Sequence, residues 1–194
     1  MFNGLFNLAR QIYFKKIIAQ IKSGDRVLDI GCGRGKFLDI CKKKNIKAIG
    51  VDKEKCSVDF CRQYGLEAMM ANVYKLPFSN NSFSFIICQS VVEHLNQPLK
   101  GLREIKRILK KGGVFIVSVP TPEGSFWDDP THIRPYTSKS IISLLEMVGF
   151  KNVQCSYVIF YLFGLKICWN WFYQVINLLP FPFGGNLICK VKND

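Results

Sequence analysis

The sequence predicts an α/β fold: a doubly wound, mostly parallel sheet with helices on both faces. Three observations carry this prediction. Strand-like and helix-like runs alternate from Asp25 to about residue 159. Three glycines, Gly31-x-Gly33-x-Gly35, fall between the first strand and the first helix. Acids stand at the ends of the first two apolar runs, Asp29 in Val27-Leu28-Asp29-Ile30 and Asp52 after Ala48-Ile49-Gly50-Val51.

The elements follow in order. Residues 2–21 repeat Phe2, Leu5, Phe6, Ala9, Ile12, Tyr13, Ile17 and Ile21 at helical spacing, with Arg10, Lys15 and Lys16 between them. This is an amphipathic helix rather than a secretion signal, because charges interrupt the apolar run and no small-residue cleavage site follows. The alternation then predicts strand 26–30, helix 35–44, strand 47–51, helix 54–64 and strand 67–70. A loop over 71–82 leads to strand 83–88, helix 97–110, strand 113–119, helix 138–148 and strand 152–159. Strands joined by helices run parallel, and ligands bind beyond their carboxyl ends, where Asp29, Asp52 and Gln89 fall.

The stretch 156–189 carries one charged side chain among residues 156–189, Lys166, until the final run, and is dense in aromatics such as Tyr161, Phe163, Trp169, Trp171, Phe172 and Tyr173. Lys166, Asn170, Gln174 and Asn177 recur along one helix face. A helix with one polar stripe suits a monotopic membrane contact or the wall of a substrate pocket, while length alone permits a span. Pro180 and Pro182 end that helix, and Gly184-Gly185 turn the chain into a last strand-like run, 186–191. The expected organisation is one domain over 1–194: helix 1–22, core 23–155, aromatic-rich insertion 156–184 and final strand 185–194.

Composition sets bounds. A chain of 194 residues with 48% hydrophobic content can bury a substantial core. The eight cysteines are scattered without a C-x-x-C pair, which reads as reduced, mostly buried thiols and a cytoplasmic setting. His94 and His132 are the two histidines, and neither lies at ligand spacing from a cysteine pair, so no metal site is expected. The formal charge of +13 attracts polyanions or an anionic membrane surface without naming either.

The glycine turn is the chemical signal. Glycine has no Cβ, so it accepts positive φ and lets a ligand approach the main chain, beside the unpaired N–H groups of the next helix. The dinucleotide fingerprint needs a glycine where Lys36 stands, and no G-x-x-x-x-G-K-[ST] string occurs. Asp29 at the sheet mouth suits a cationic ligand, and Asp52 at the end of the second strand is placed to accept from two ribose hydroxyls.

With these residues the chain resembles the class I S-adenosylmethionine-dependent methyltransferases, a Rossmann-like fold whose last strand is antiparallel. The likeness includes VLDIGCGRGKF at 27–37, ANVYKLPF at 71–78, FSFIICQSVVEHL at 83–95 and GLREIKRILKKGGVFIVSVP at 101–120. The resemblance covers roughly residues 23–155. It implies S-adenosylmethionine as cofactor, with Asp29, Gly31, Cys32 and Gly33 at the methionine end, and Asp52 and Lys53 at the ribose. Asn72 and Val73 would flank the adenine, and Gln89 would stand at the exit of strand four. Asn72 replaces the family's aspartate, though its amide oxygen can still accept, and Ser84 stands where strand four usually carries an acid.

Methyl transfer from a sulfonium needs orientation and electrostatics, with a base where the nucleophile holds a proton. The candidate catalytic residue is His132 in DDPTHIRPYT, 128–137. Similar strings face the substrate in family members acting on small molecules, quinone precursors and sugars. The competing role is a loop histidine that caps helix 138–148 or pairs with Asp128, and His94 reads as structural. Amine methylases of bases or glutamine carry [DN]-P-P-[YFW] where this chain has Cys88-Gln89-Ser90-Val91, which disfavours them. The expected acceptor is small or lipid-linked and apolar, methylated at oxygen, with peripheral anionic membrane contact through 160–183 at the inner face. A non-catalytic cofactor- or partner-binding module and a nucleic-acid methyltransferase are the rivals, the latter resting on charge alone. Oligomeric state is not legible.

Overall fold

The computed structural model describes residues 14–122, 124–158 and 186–193, with the side chains of residues 124, 125, 157 and 158 not described. The predicted helix 2–21 is therefore described only from residue 14, where 14–18 are helical, and the aromatic insertion 160–183 lies outside the described residues. Seven strands form one sheet: β1 (Val27–Ile30), β2 (Ala48–Asp52), β3 (Ala68–Met70), β4 (Phe83–Gln89), β5 (Leu109–Pro120), β6 (Lys151–Val158) and β7 (Asn186–Lys192). The helices are α1 (Lys36–Lys43), α2 (Lys55–Gln63), α3 (Pro98–Ile108) and α4 (Ser138–Met147), with short 3-10 turns at Val92–His94 and Gly124–Asp128.

The strand order is β3-β2-β1-β4-β5-β7-β6. β1 pairs in parallel with both β2 and β4, and β7 runs antiparallel to β5 and β6. This is the mostly parallel Rossmann-like sheet with one antiparallel strand that the sequence predicts. The order reverses between β1 and β4, so a crevice opens where their carboxyl ends meet.

The period of two along the strands explains why both faces are covered. Leu28 and Ile30 of β1, with Ile86 and Cys88 of β4, share a buried cluster with Leu102, Ile105 and Ile108 of α3 and Ile141, Leu144 and Leu145 of α4. Val27, Phe85 and Ile87 join instead Phe37 and Cys41 of α1 and Phe14, Ile17 and Ile18 of the helical residues 14–18. Each such side chain fully buried stabilises the fold by roughly 1.5–3 kcal/mol.

Two expectations change. The helix expected over 97–110 is Pro98–Ile108, because Leu109 already pairs with Phe83 in the sheet. The cysteines are not all reduced: Cys155 of β6 and Cys189 of β7 are register partners across the antiparallel pair and form a disulfide. Their separation of 34 residues hides that neighbourhood in the sequence. Cys32, Cys41, Cys56, Cys61 and Cys88 are free thiols. No helix among the described residues is long and apolar enough to cross a membrane.

Candidate active site

The glycine turn leaves β1 at the crevice. Gly31 has φ 73° and Gly33 φ 52°, both in the left-handed region. A Cβ on Gly31 would collide with the side chain of Val91, which follows β4, so glycine is required there twice over. Gly31 and Cys32 N–H donate to the Val51 carbonyl at 2.8 and 3.1 Å, which ties the turn to β2.

Asp52 fastens the turn from the other side. Its carboxylate accepts from Gly33 N–H at 2.8 Å and from Glu54 N–H at 2.9 Å. Cys61 adds a thiol that donates to the Gly33 carbonyl at 3.2 Å, and burial pushes that thiol's pKa up, keeping it protonated. Burial first, and the Asp29 carboxylate second, raise the Cys32 thiol as well. Neither sulfur is placed to act as a thiolate.

A cavity of about 260 Å³ lies against this turn, lined by Asp29, Gly31, Cys32, Gly33, Gln89 and Phe14 among others. Asp29 is buried, at 5% exposure. Phe14 is 2% exposed within the core, so the first helix both packs on the sheet and reaches the cavity. Five predicted residues thus meet around one space, with Asp52 joined to it through Gly33. Lys53 points to solvent, 3.7 Å from Glu54. Asn72 is exposed on the loop after β3, and its Oδ1 accepts from Tyr74 N–H at 2.9 Å, while Val73 packs against the core. Ser84 lies at the opposite end of β4, where its Oγ accepts from Arg26 N–H at 3.0 Å, far from the carboxyl-end crevice.

The loop after β3 is held by α3. Glu104 accepts from Leu76 N–H at 2.7 Å and from Arg107 at 2.7 and 2.8 Å. Arg107 also donates to the Phe78 carbonyl and to Asn80 Oδ1, each at 2.8 Å. The Arg107 hydrogen bonds hold the Glu104 carboxyl below its ordinary value.

His132 meets His94 beyond β4 and β5, with ring centroids 4.8 Å apart. His132 Nδ1 contacts the Phe126 carbonyl at 2.6 Å, and His94 Nδ1 contacts the Thr131 carbonyl at 3.0 Å. The nearest acid to His132 is Asp129, 3.7 Å from Nε2, rather than Asp128. Nor does His132 cap the following helix: Thr137 and Ser140 form a reciprocal capping box on α4. Glu93, not singled out by the sequence reading, is wholly buried, and neither carboxylate oxygen has a hydrogen-bond partner among the described residues. Burial raises it from 4.5 to about 7, with Asp129 adding to the rise. Its place in Glu93-His94 was visible in the chain, but its tie to Ile133 and Arg134, whose N–H groups donate to its carbonyl, was not.

The family model for a methyltransferase domain matches residues 7–155. The chain belongs to the methyltransferase domain family, and S-adenosylmethionine is its cofactor. This methyltransferase is 30% identical over 166 residues to an uncharacterized protein of Methanocaldococcus jannaschii, a match covering 77% of this chain and 78% of that one. It is 28% identical over 150 residues to a probable S-adenosylmethionine-dependent methyltransferase of Mycobacterium tuberculosis, covering 74% of this chain and 54% of the relative. It is 33% identical over 122 residues to a tRNA (carboxymethyluridine(34)-5-O)-methyltransferase of Xenopus tropicalis, covering 60% of this chain and 19% of that protein. A crystal structure of a SAM-dependent methyltransferase from Archaeoglobus fulgidus shares the fold at TM-score 0.72 and 24% identity, over 96% of this chain and 94% of the other. The open glycine backbone and the two acids fit the cofactor's cationic, ribose-bearing chemistry.

Proposed function

We propose that this methyltransferase, acting as one domain, moves the methyl group of S-adenosylmethionine to a small or lipid-linked acceptor at oxygen. The observation that carries the donor half is the meeting of Asp29, Gly31, Cys32, Gly33 and Gln89 around one cavity beside Asp52. When bound, the sulfonium supplies a methyl carbon already activated by positive charge. Asp29 favours that charge, and the glycines let the ligand reach main-chain groups. Asp52 spends one hydrogen bond per oxygen on the turn, and each carboxylate oxygen retains acceptor capacity for a ribose hydroxyl. Asn72 and Val73 flank the adenine, Lys53 lies at the ribose rim, and His132 serves the acceptor side.

Acceptor chemistry is supported by sequence features. Cys88-Gln89-Ser90-Val91 lacks the amine-methylase string, and the aromatic residues of 160–183 favour an apolar acceptor of the quinone-precursor or lipid-linked sugar type. The same segment and the charge of +13 support peripheral contact with an anionic membrane at its inner face. A second reading, tRNA as acceptor, is favoured by the charge and by the similarity to the Xenopus enzyme.

One experiment separates these readings. The chain is incubated with methyl-labelled S-adenosylmethionine and, in parallel, a metabolite extract, a lipid extract and bulk tRNA. Label in either of the first two, lost in Asp52→Ala, supports the first reading; label in tRNA alone replaces it with the second. Flotation with anionic liposomes tests the membrane contact, which is refuted if a variant lacking 160–183 floats as well as the intact chain.

A further inference from the structure

We propose that Glu93, His94 and His132 form a binding site for one divalent transition-metal ion of the zinc class. One carboxylate oxygen and one nitrogen from each ring all lie within 4.8 Å of one another. Ligands on a tetrahedral zinc ion at about 2.1 Å stand about 3.4 Å apart, so side-chain movements totalling about 1.4 Å for the farthest pair close the site.

The tautomers suit a metal. Each ring places Nδ1 against a main-chain carbonyl, Phe126 for His132 and Thr131 for His94, so each Nδ1 carries the proton and donates it. Each Nε2 then holds a lone pair. A second group that fixes the far nitrogen in this way is the usual support of a metal-bound histidine. The Thr131 hydroxyl donates to Asp129 and completes the brace around His94.

The acids independently point to a cation. Glu93 is wholly buried, with both oxygens lacking a hydrogen-bond partner among the described residues. A carboxyl group in that position is costly unless something coordinates it. Asp129 Oδ2 lies 3.7 Å from His132 Nε2, so a nitrogen lone pair and a carboxylate face each other. A divalent ion on that lone pair balances the charge of both carboxylates, with Asp129 beside the site rather than on the metal. Two imidazole nitrogens select zinc, cobalt, nickel or iron over magnesium and calcium.

Such a site joins the 3-10 turn after β4 to the loop after β5, beyond the same strand ends that hold the cofactor cavity. It deepens the acceptor-side role given to His132, which becomes a ligand, with three protein ligands leaving a fourth position open. The site rests on the acceptor-side reading of His132, and metal titration reads binding without methyl transfer, so failure to bind metal and failure to transfer methyl are separate outcomes.

The test uses the full chain, stripped with a chelator and titrated with ZnCl2 by calorimetry and with CoCl2 by visible absorption. The expected result is one equivalent bound, with cobalt d–d bands and no sulfur-to-cobalt band, since the exposed Cys56 thiol is the obvious competitor. His94→Ala and His132→Ala should each weaken binding at least about tenfold, while Cys56→Ser leaves it unchanged. Zinc should raise the melting temperature of the wild type and not of His132→Ala. Both histidines are partly exposed, so their removal spares the core, and unchanged S-adenosylmethionine affinity verifies the fold. No saturable binding, a sulfur-to-cobalt band, or equal affinity in the histidine variants overturns the proposal.

Discussion

The Asp52 carboxylate accepts the Gly33 N–H at 2.8 Å, so the acid at the end of β2 holds the glycine turn in place, beside the ribose-binding role proposed for it. Removing it therefore acts twice. Asp52→Ala should weaken S-adenosylmethionine binding by roughly 10- to 100-fold, the scale of one or two charge-assisted hydrogen bonds. Asp52→Asn keeps one acceptor and should fall between. Calorimetry with the cofactor reads both, and unchanged affinity in Asp52→Ala refutes this role.

Gly31→Ala combines backbone strain at φ 73° with a collision against Val91. The expected loss is about 2–4 kcal/mol of stability, seen in urea unfolding. Adding Val91→Ala should recover part of it, because the collision is relieved while the strain remains. A double variant no more stable than Gly31→Ala would show that strain alone decides.

The Glu104–Arg107 pair makes a prediction about acid. Glu104 has a folded pKa below its ordinary 4.5, so its contribution is complete above that pH and disappears as pH falls through the folded value. Glu104→Gln should cost about 1–3 kcal/mol near neutrality and converge with the wild type in acid. Parallel melting curves across the pH range that keep a constant gap contradict it. Because the pair also carries Leu76, Phe78 and Asn80, cofactor affinity should drop in the same variant.

Thr137→Ala removes half of the capping box on α4 and should destabilise the chain by about 1 kcal/mol. His132→Ala should leave that helix end untouched, since its ring bonds Phe126 instead. Hydrogen exchange at the first turn of α4 distinguishes the two, and equal effects would return His132 to a capping role.

What was legible in the chain is what local spacing decides. Gly31 and Gly33 could be read because a strand, a turn and a helix lie within eleven residues, and Asp52 because it ends the next strand. The order of elements followed from the switch between periods of two and 3.6. The misses share a different physical origin. Cys155 and Cys189 meet through strand register across 34 residues, and the buried Glu93 is joined through its carbonyl to Ile133 and Arg134, far along the chain. The local partners of Asn72 and Lys53, the Tyr74 N–H and Glu54, are set by the loop backbone and by solvent exposure, which spacing alone does not convey. Ser84 carried little weight for the cleft because it stands at the far end of β4, a distance that composition cannot convey.

Val158 and Asn186 are register partners at the mouths of β6 and β7, and the Cys155–Cys189 bond lies three residues below them. Residues 159–185 therefore leave and return at a single point, on strands that touch the donor side nowhere in the sheet order. Such a socket lets a lineage lengthen, shorten or exchange that segment while the sheet and glycine turn keep their register. If that segment meets the acceptor, as proposed, acceptor preference diverges on this scaffold while the donor half stays conservative.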